Sequence, residues 1–230
     1  MREKEDLSLQ QCRAFNHKEK NMKRILRVLC ILMMLSADIG PLFAEELAPQ
    51  IQKGYEYHNR ARNPDEKNLG ALLDECLKCL EPYTNTDAIA CGLYGSALTV
   101  KASLAVDGNP IKSLKYLEEG NEFIDKAVAM KPDEIFCRLL RLENGIEVSR
   151  TSPVKRYGVI KSDVEFFIDD GKAEELSADD KAEAYLYSGF YYLDSGDLDF
   201  ALELFELAEE TAPDSKSGKR AQKMLDKYSD

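Results

Sequence analysis

Cysteine, histidine and carboxylate side chains are the residues of this chain with chemistry beyond packing, and they are sparsely arranged. Cys76 and Cys79 stand with two residues between them, the spacing of redox dithiols and of half a zinc site. A second such pair is missing. The apolar pattern over 69–81 places both thiols inside a helix rather than at its start, where thiolates are usually stabilised. Lys78 is close, but so are Asp74, Glu75 and Glu81. Structural, partly buried cysteines are the favoured reading. A disulfide among Cys76, Cys79, Cys91 and Cys137 is the next reading, and a redox or metal role the last. His58 shares a helix face with Ile51 and Tyr55, which favours packing; it is the one histidine beyond residue 44, and one histidine cannot build a His-rich metal site. No Ser-centred nucleophile elbow and no phosphate-cradling glycine loop occurs. Carboxylate pairs are plentiful, but nothing marks one as an acid–base pair. The sequence therefore assigns no catalytic residue, no metal ligand and no cofactor, and reads as a non-enzyme.

The elements that would position these residues are all helical. Glu46 to Arg62 carries Ile51, Tyr55, His58 and Arg62 along one face. Leu69 to Glu81 carries Leu72, Leu73, Cys76, Leu77 and Leu80 at helical spacing, then Pro82. An alanine-rich helix over Asp87 to Val106 ends at Asp107-Gly108-Asn109-Pro110, and Ile111 to Met130 follows. Asp133 to Val148 holds Phe136, Leu139, Leu140 and Ile146. Ser149 to Gly158 reads as a loop, and Val159 to Ile168 as a further helix. Sustained alternation and Asn-Gly hairpin signals are absent, so strands are not expected.

The richest stretch runs from Ala182 to Ser215. Ser177, with Asp180 three residues on, is a helix start. Tyr185, Gly189 and Tyr192 then share one face. Gly189 inside a helix costs about 1 kcal/mol relative to Ala, so a close approach by a second helix is its expected reason. Ser195-Gly196-Asp197 breaks the pattern. Leu198, Ala201, Leu202, Phe205 and Ala208 form a second stripe, and Pro213 ends it. This run resembles a tetratricopeptide repeat, whose signature is W-x2-L-G-x2-Y, then A-x3-F, then P over about 34 residues. Tyr185 stands for the Trp and Ser188 for the Leu; Gly189, Tyr192, Ala201, Phe205, Ala208 and Pro213 match.

Weaker echoes of the pattern end at Pro82 and Pro132. Gly120, Ile124 and Ala127 fall where Ala201, Phe205 and Ala208 do; Gly70 and Leu77 take corresponding places before Pro82. The three prolines lie 50 and 81 residues apart, which fits degenerate repeats with long helices. The resemblance implies an all-α chain of antiparallel helix hairpins stacked as a short right-handed solenoid over 45–230. Residues 215–229 would then form a capping helix, with Ala221, Met224, Leu225 and Tyr228 on one side and Lys216, Lys219, Lys223 and Lys227 elsewhere. In that family the first helices of successive hairpins line a groove that holds a partner segment. The resemblance places Glu183, Leu186, Phe190, Leu193 and Asp194 on it. Leu186, Phe190 and Leu193 make a second apolar stripe, which must meet either neighbouring helices or a partner.

The amino end suggests where such a module works. Lys23, Arg24 and Arg27 precede an apolar run from Val28 to Ala37; Gly40-Pro41 ends it, and Ala44 precedes Glu45. That is the layout of a secretory signal peptide over 22–44, with an apolar run too short for a bilayer. The alternative is an uncleaved anchor. Residues 1–21 read as a polar extension ahead of a start at Met22. The chain has a formal charge of −11; cleavage after Ala44 would remove eight basic and five acidic residues and leave −14. Such a surface repels nucleic acid phosphates and anionic lipid. The expected protein is a periplasmic or secreted adaptor that binds another envelope protein, with no nucleic-acid partner and no span in its mature form. The alternatives are a helical ligand-binding component that assists a transporter, and a thiol redox or metal module.

Overall fold

Side chains that accept from the free N–H groups of a first turn set several helix starts. Asp87 accepts from Ala90, Asn109 from Lys112, Ser177 from Asp180 and Asp197 from Phe200. The computed structural model describes residues 48–61 and 66–228. The signal-peptide and extension readings over 1–44 lie outside them. Nine α-helices occur among the described residues: α1 (Pro49–Ala61), α2 (Leu69–Leu80), α3 (Ala88–Ala105), α4 (Pro110–Met130), α5 (Ile135–Thr151), α6 (Tyr157–Val164), α7 (Ala178–Ser195), α8 (Leu198–Thr211) and α9 (Lys216–Tyr228). There is no strand among them, so the described residues are all-α as the patterning predicts. The helix expected over Val159 to Ile168 starts two residues earlier and widens into a π turn over Glu165–Asp169.

Consecutive helices pack in pairs, α1 with α2, α3 with α4, α5 with α6 and α7 with α8. The first members also touch in chain order, α1 to α3 to α5 to α7, and α9 lies against both α7 and α8. Two main cores result. One joins α1 to α4 with Phe136, Cys137 and Leu140 of α5; the other joins α5 to α9 and takes Leu139, Leu142 and Ile146 from α5. A helix that serves two cores is apolar nearly all round, which is why its sequence lacks a clean stripe. Helix α3 is the one described helix long and apolar enough to cross a membrane by length and composition, and 72% of it is buried inside the fold.

Polar side chains link the first helices to one another. His58 of α1 shares a 2.8 Å hydrogen bond with Ser96 of α3, and Asn144 of α5 donates to Thr99 of α3 at 2.9 Å. These buried bonds set the relative register of α1, α3 and α5. His58 is thus a core histidine, 1% exposed, as its helix face predicts.

Glycines let paired helices approach. A Cβ on Gly189 would stand 2.6 Å from the Phe205 ring, and one on Gly95 would stand 2.6 Å from the Gly120 carbonyl and 2.9 Å from the Ile124 nitrogen. Gly54 against Leu80 and Gly145 against Ile160 make comparable crossings, so each pair has such a glycine on its first helix. Gly70, read from sequence as a counterpart of Ala201, has open space around it. The first pair crosses at Gly54 instead. This contrast predicts opposite signs. Gly95→Ala meets backbone, which cannot yield, and will lower stability by about 1–3 kcal/mol despite the better helix propensity. Gly70→Ala will change it by less than about 1 kcal/mol, in the stabilising direction. Thermal melts of the two variants test this; a Gly95→Ala protein that melts no lower than wild type would show that the crossing is loose.

Candidate partner-binding surface

The segment that best matches the repeat pattern is well defined. Gly196, at φ +94°, ends α7: its N–H donates to the Leu193 carbonyl and that of Asp197 to the Tyr192 carbonyl. This closure needs a left-handed residue, which Gly supplies without strain. Ala201, Phe205 and Ala208 of α8 are fully buried, Tyr185 is buried, and Tyr192 is half-buried with its ring 4.6 Å from Phe200. Pro213 follows the end of α8 and is exposed.

The residues expected on a groove divide into two groups. Glu183, Leu186 and Phe190 are 0–2% exposed, so within the fold they meet neighbours rather than solvent. Leu186 and Phe190 belong to the core shared with Leu139, Leu142 and Ile146 of α5 and Ala221 of α9. Their stripe is accounted for by α5 and the terminal helix. Leu193 is half-buried and Asp194 exposed. Introducing Glu at Leu186 or Phe190 would therefore test folding, not binding.

Two arginines cover Phe190. The Arg150 guanidinium of α5 lies 4.1 Å from the ring centroid and that of Arg220 of α9 lies 4.5 Å away. Arg220 also donates to Glu147 at 2.6 Å and to the Tyr187 hydroxyl at 3.3 Å. Glu147 and Tyr187 are almost fully buried. Burial, followed by the carboxylates of Glu143 and Glu147, pushes the Tyr187 hydroxyl well above its ordinary pKa while Arg220 opposes the shift. Tyr187 is accordingly a neutral hydroxyl at physiological pH.

Arg150 pairs with Asp194 at 3.4 Å, and Asp194 also accepts from the Tyr157 hydroxyl at 2.9 Å. Burial and then the Asp194 bond push Tyr157 up to about 12, so it stays a donor. Its ring stands 6.4 Å from Tyr191, which stands 5.5 Å from Tyr192. Tyr157 opens α6, and both ends of that helix are held. Arg156, immediately before it, makes a bidentate pair with Asp125 of α4. Asp163 near its other end accepts twice from Arg141 at 2.7 Å and once from Arg138 at 3.0 Å. Burial raises the Asp163 carboxyl, with the two guanidinium groups acting the other way.

The result is a surface at the end of α7 built by three helices: Arg150 from α5, Tyr157 from α6, and Tyr191, Leu193 and Asp194 from α7. Tyrosine and arginine held in place by packing are the residue types that dominate protein recognition energy. Sequence reading found Leu193 and Asp194 but not Arg150, Tyr157, Tyr191, Arg220 or Glu147. One signal for Arg150 exists. It lies five residues after the crossing glycine Gly145, as Asp194 does after Gly189, so aligning the chain on those glycines sets the ion pair across adjacent first helices.

The cysteines fit packing. All four described cysteines are free thiols; Cys76 donates to the Gly54 carbonyl and Cys91 to the Phe123 carbonyl, each at 3.3 Å. Burial pushes Cys76 up to about 12 and also raises Cys91 and Cys137. A raised pKa lowers the thiolate fraction, the form that reacts. At neutral pH a thiol reagent will therefore label half-buried Cys79 before these three, which will react only on unfolding; peptide mass spectrometry locates the label. Prompt labelling of Cys137 in folded protein would contradict this. Among the described residues no three His, Cys, Asp or Glu side chains form a group able to hold a metal ion.

No protein-family model, no curated protein and no solved structure matches this chain.

Proposed function

We propose that this chain is a tetratricopeptide-like adaptor, exported to the periplasm or secreted, that binds another envelope protein and performs no catalysis. The single observation that carries the reading is the tyrosine–arginine surface of Arg150, Tyr157, Tyr191, Leu193 and Asp194, held by packed helices on both sides. The hairpin pairing, a crossing glycine on each first helix and the chain-order contact of α1, α3, α5 and α7 support a short solenoid of stacked repeats with α9 as its cap. In such a stack the first helices form one wall, and the surface sits at its carboxyl-terminal end. Leu193 offers apolar area between an ion pair and two tyrosines, which suits a partner segment presenting an apolar side chain beside a polar one.

A photo-crosslinking amino acid at Leu193, introduced into the full chain in its own host, tests the reading. One defined protein should be captured, and Tyr191→Ala with Arg150→Ala should abolish capture while the melting curve still shows a folded protein. The same probe at Leu207, exposed on α8, should capture nothing specific. No defined product at Leu193, or capture unaffected by the paired alanines, would overturn this assignment of the surface. Mass spectrometry of the purified chain's first residue tests export: Glu45 is expected.

A further inference from the structure

The surface at the end of α7 continues as a row of rings. Tyr157 of α6 stands 6.4 Å from Tyr191 of α7, Tyr191 stands 5.5 Å from Tyr192, and Tyr192 stands 4.6 Å from Phe200 at the start of α8. All four residues are half-buried, so the row crosses three helices and part of each residue stays open to solvent.

Carboxylates flank this row without cations to answer them. Burial, then Asp169, Tyr191, Asp197 and Glu165, push the Tyr192 hydroxyl up, which sets three carboxylates near one ring. Asp197 and Asp199 also suit the first turn of α8, where Asp197 accepts from the Phe200 N–H at 3.2 Å. Asp169 closes the π turn that extends α6, an end where the helix dipole disfavours an anion, so helix stability does not explain it. The cations of the region are already engaged. Lys155 donates to the Ser149 and Ser152 carbonyls. Arg150 pairs with Asp194, Arg156 with Asp125, Lys161 with Glu165 and Lys172 with Glu175, and among the described residues Asp169, Asp197 and Asp199 have no ion pair. All three are exposed. Metal ligation does not account for them either, since no three His, Cys, Asp or Glu side chains among the described residues could hold an ion.

We infer that the partner presents an extended basic segment, whose Arg or Lys side chains lie over the Tyr157–Tyr191–Tyr192 row and meet Asp169 and Asp197 while an apolar residue meets Leu193. This rests on the assignment of the surface to a partner and adds what that partner presents. An aromatic face attracts a cation through its negative quadrupole, and carboxylates at the edge of the row add to that field. The fold makes the same contact within itself: the Arg138 guanidinium stands 4.4 Å from the centroid of the Phe166 ring. Alternate side chains of an extended segment lie roughly 6.6 Å apart, near the spacing of these rings, so basic residues at alternate positions stay in register with the row. An acidic segment would meet like charge throughout.

Fluorescence anisotropy of the full chain tests this with labelled peptides that are identical except at three alternate positions, which hold Arg, Gln or Glu around a central Leu. The Arg peptide should bind roughly tenfold or more tightly than the Gln peptide, and the Glu peptide more weakly still. Asp169→Asn, Asp197→Asn and Asp199→Asn together should bring the Arg and Gln peptides to within about threefold of each other. Asn at position 197 keeps the helix cap. Glu203→Gln, Glu206→Gln and Glu210→Gln, exposed on α8, remove the same charge and should leave the preference intact. Equal affinities for the Arg and Gln peptides would overturn the inference. So would an equal loss in the α8 variant, because binding would then follow net charge rather than the row. The protein captured at Leu193 separates this chemistry from the assignment beneath it. A captured segment with no Arg or Lys beside the crosslink overturns the inference and leaves the partner surface standing. No capture overturns the partner assignment, and the peptide preference still decides the chemistry of the row.

Discussion

Phe190→Ala will destabilise the fold by about 3–5 kcal/mol, the largest effect expected from loss of side-chain volume in the α5–α9 core. The side chain is 2% exposed, its ring stands 5.2 Å from Phe205, and both Arg150 and Arg220 lie over it. Truncation opens a cavity and also leaves two guanidinium groups without the ring that covers them, at about 0.5–2 kcal/mol each. For a domain of this length each kcal/mol corresponds to roughly 2–4 °C in melting temperature. Phe190→Leu, which keeps most of the volume, should lose less than half as much. If Phe190→Ala melts within about 2 °C of wild type, the ring is not the element that joins α5, α7 and α9.

Asp163→Ala should be comparably severe, at about 3–5 kcal/mol, through charge rather than volume. The carboxylate is fully buried and accepts three hydrogen bonds from Arg138 and Arg141, whose side chains are only 15% and 11% exposed. Removing it leaves two nearly buried cations facing each other. Because Asp163 holds α6 against α5, the variant should also displace Tyr157 and reduce crosslinking at Leu193. Tyr157→Phe separates the two effects: it removes one hydrogen bond at the surface and should cost about 1 kcal/mol or less. Equal urea midpoints for Asp163→Ala and wild type would refute this account of how α6 is held.

Much of the architecture is legible in the order of residues. Helical spacing of apolar side chains, capping residues such as Ser177, and stops at Pro82, Pro132 and Pro213 locate the helices to within a few residues. Gly189 signals its crossing with Phe205 because a glycine inside a helix is costly without a packing reason. The α6 region is less legible: Val159 to Ile168 reads as regular helix, yet the chain widens into a π turn over Glu165–Asp169, where Phe166 and Phe167 are buried in the α5–α9 core.

The candidate surface divides along a different line. Apolar periodicity says that Leu186, Phe190 and Leu193 must be covered, but it carries no information on what covers them. Arg150 lies 40 residues from Phe190 and Arg220 lies 30 away on the other side; only the packing of α5 and α9 against α7 brings them over the ring. For the same reason Tyr157, on a separate helix, could not be assigned to Asp194 from spacing alone. What the sequence by itself determined is therefore local: the helical character of the chain, its helix ends and the close helix crossing at Gly189, all consequences of interactions within a few turns. Which stripes are buried, which tyrosines and arginines remain accessible, and which charges pair were decided by the tertiary structure, because those contacts join residues far apart in the chain and depend on how the helices stack.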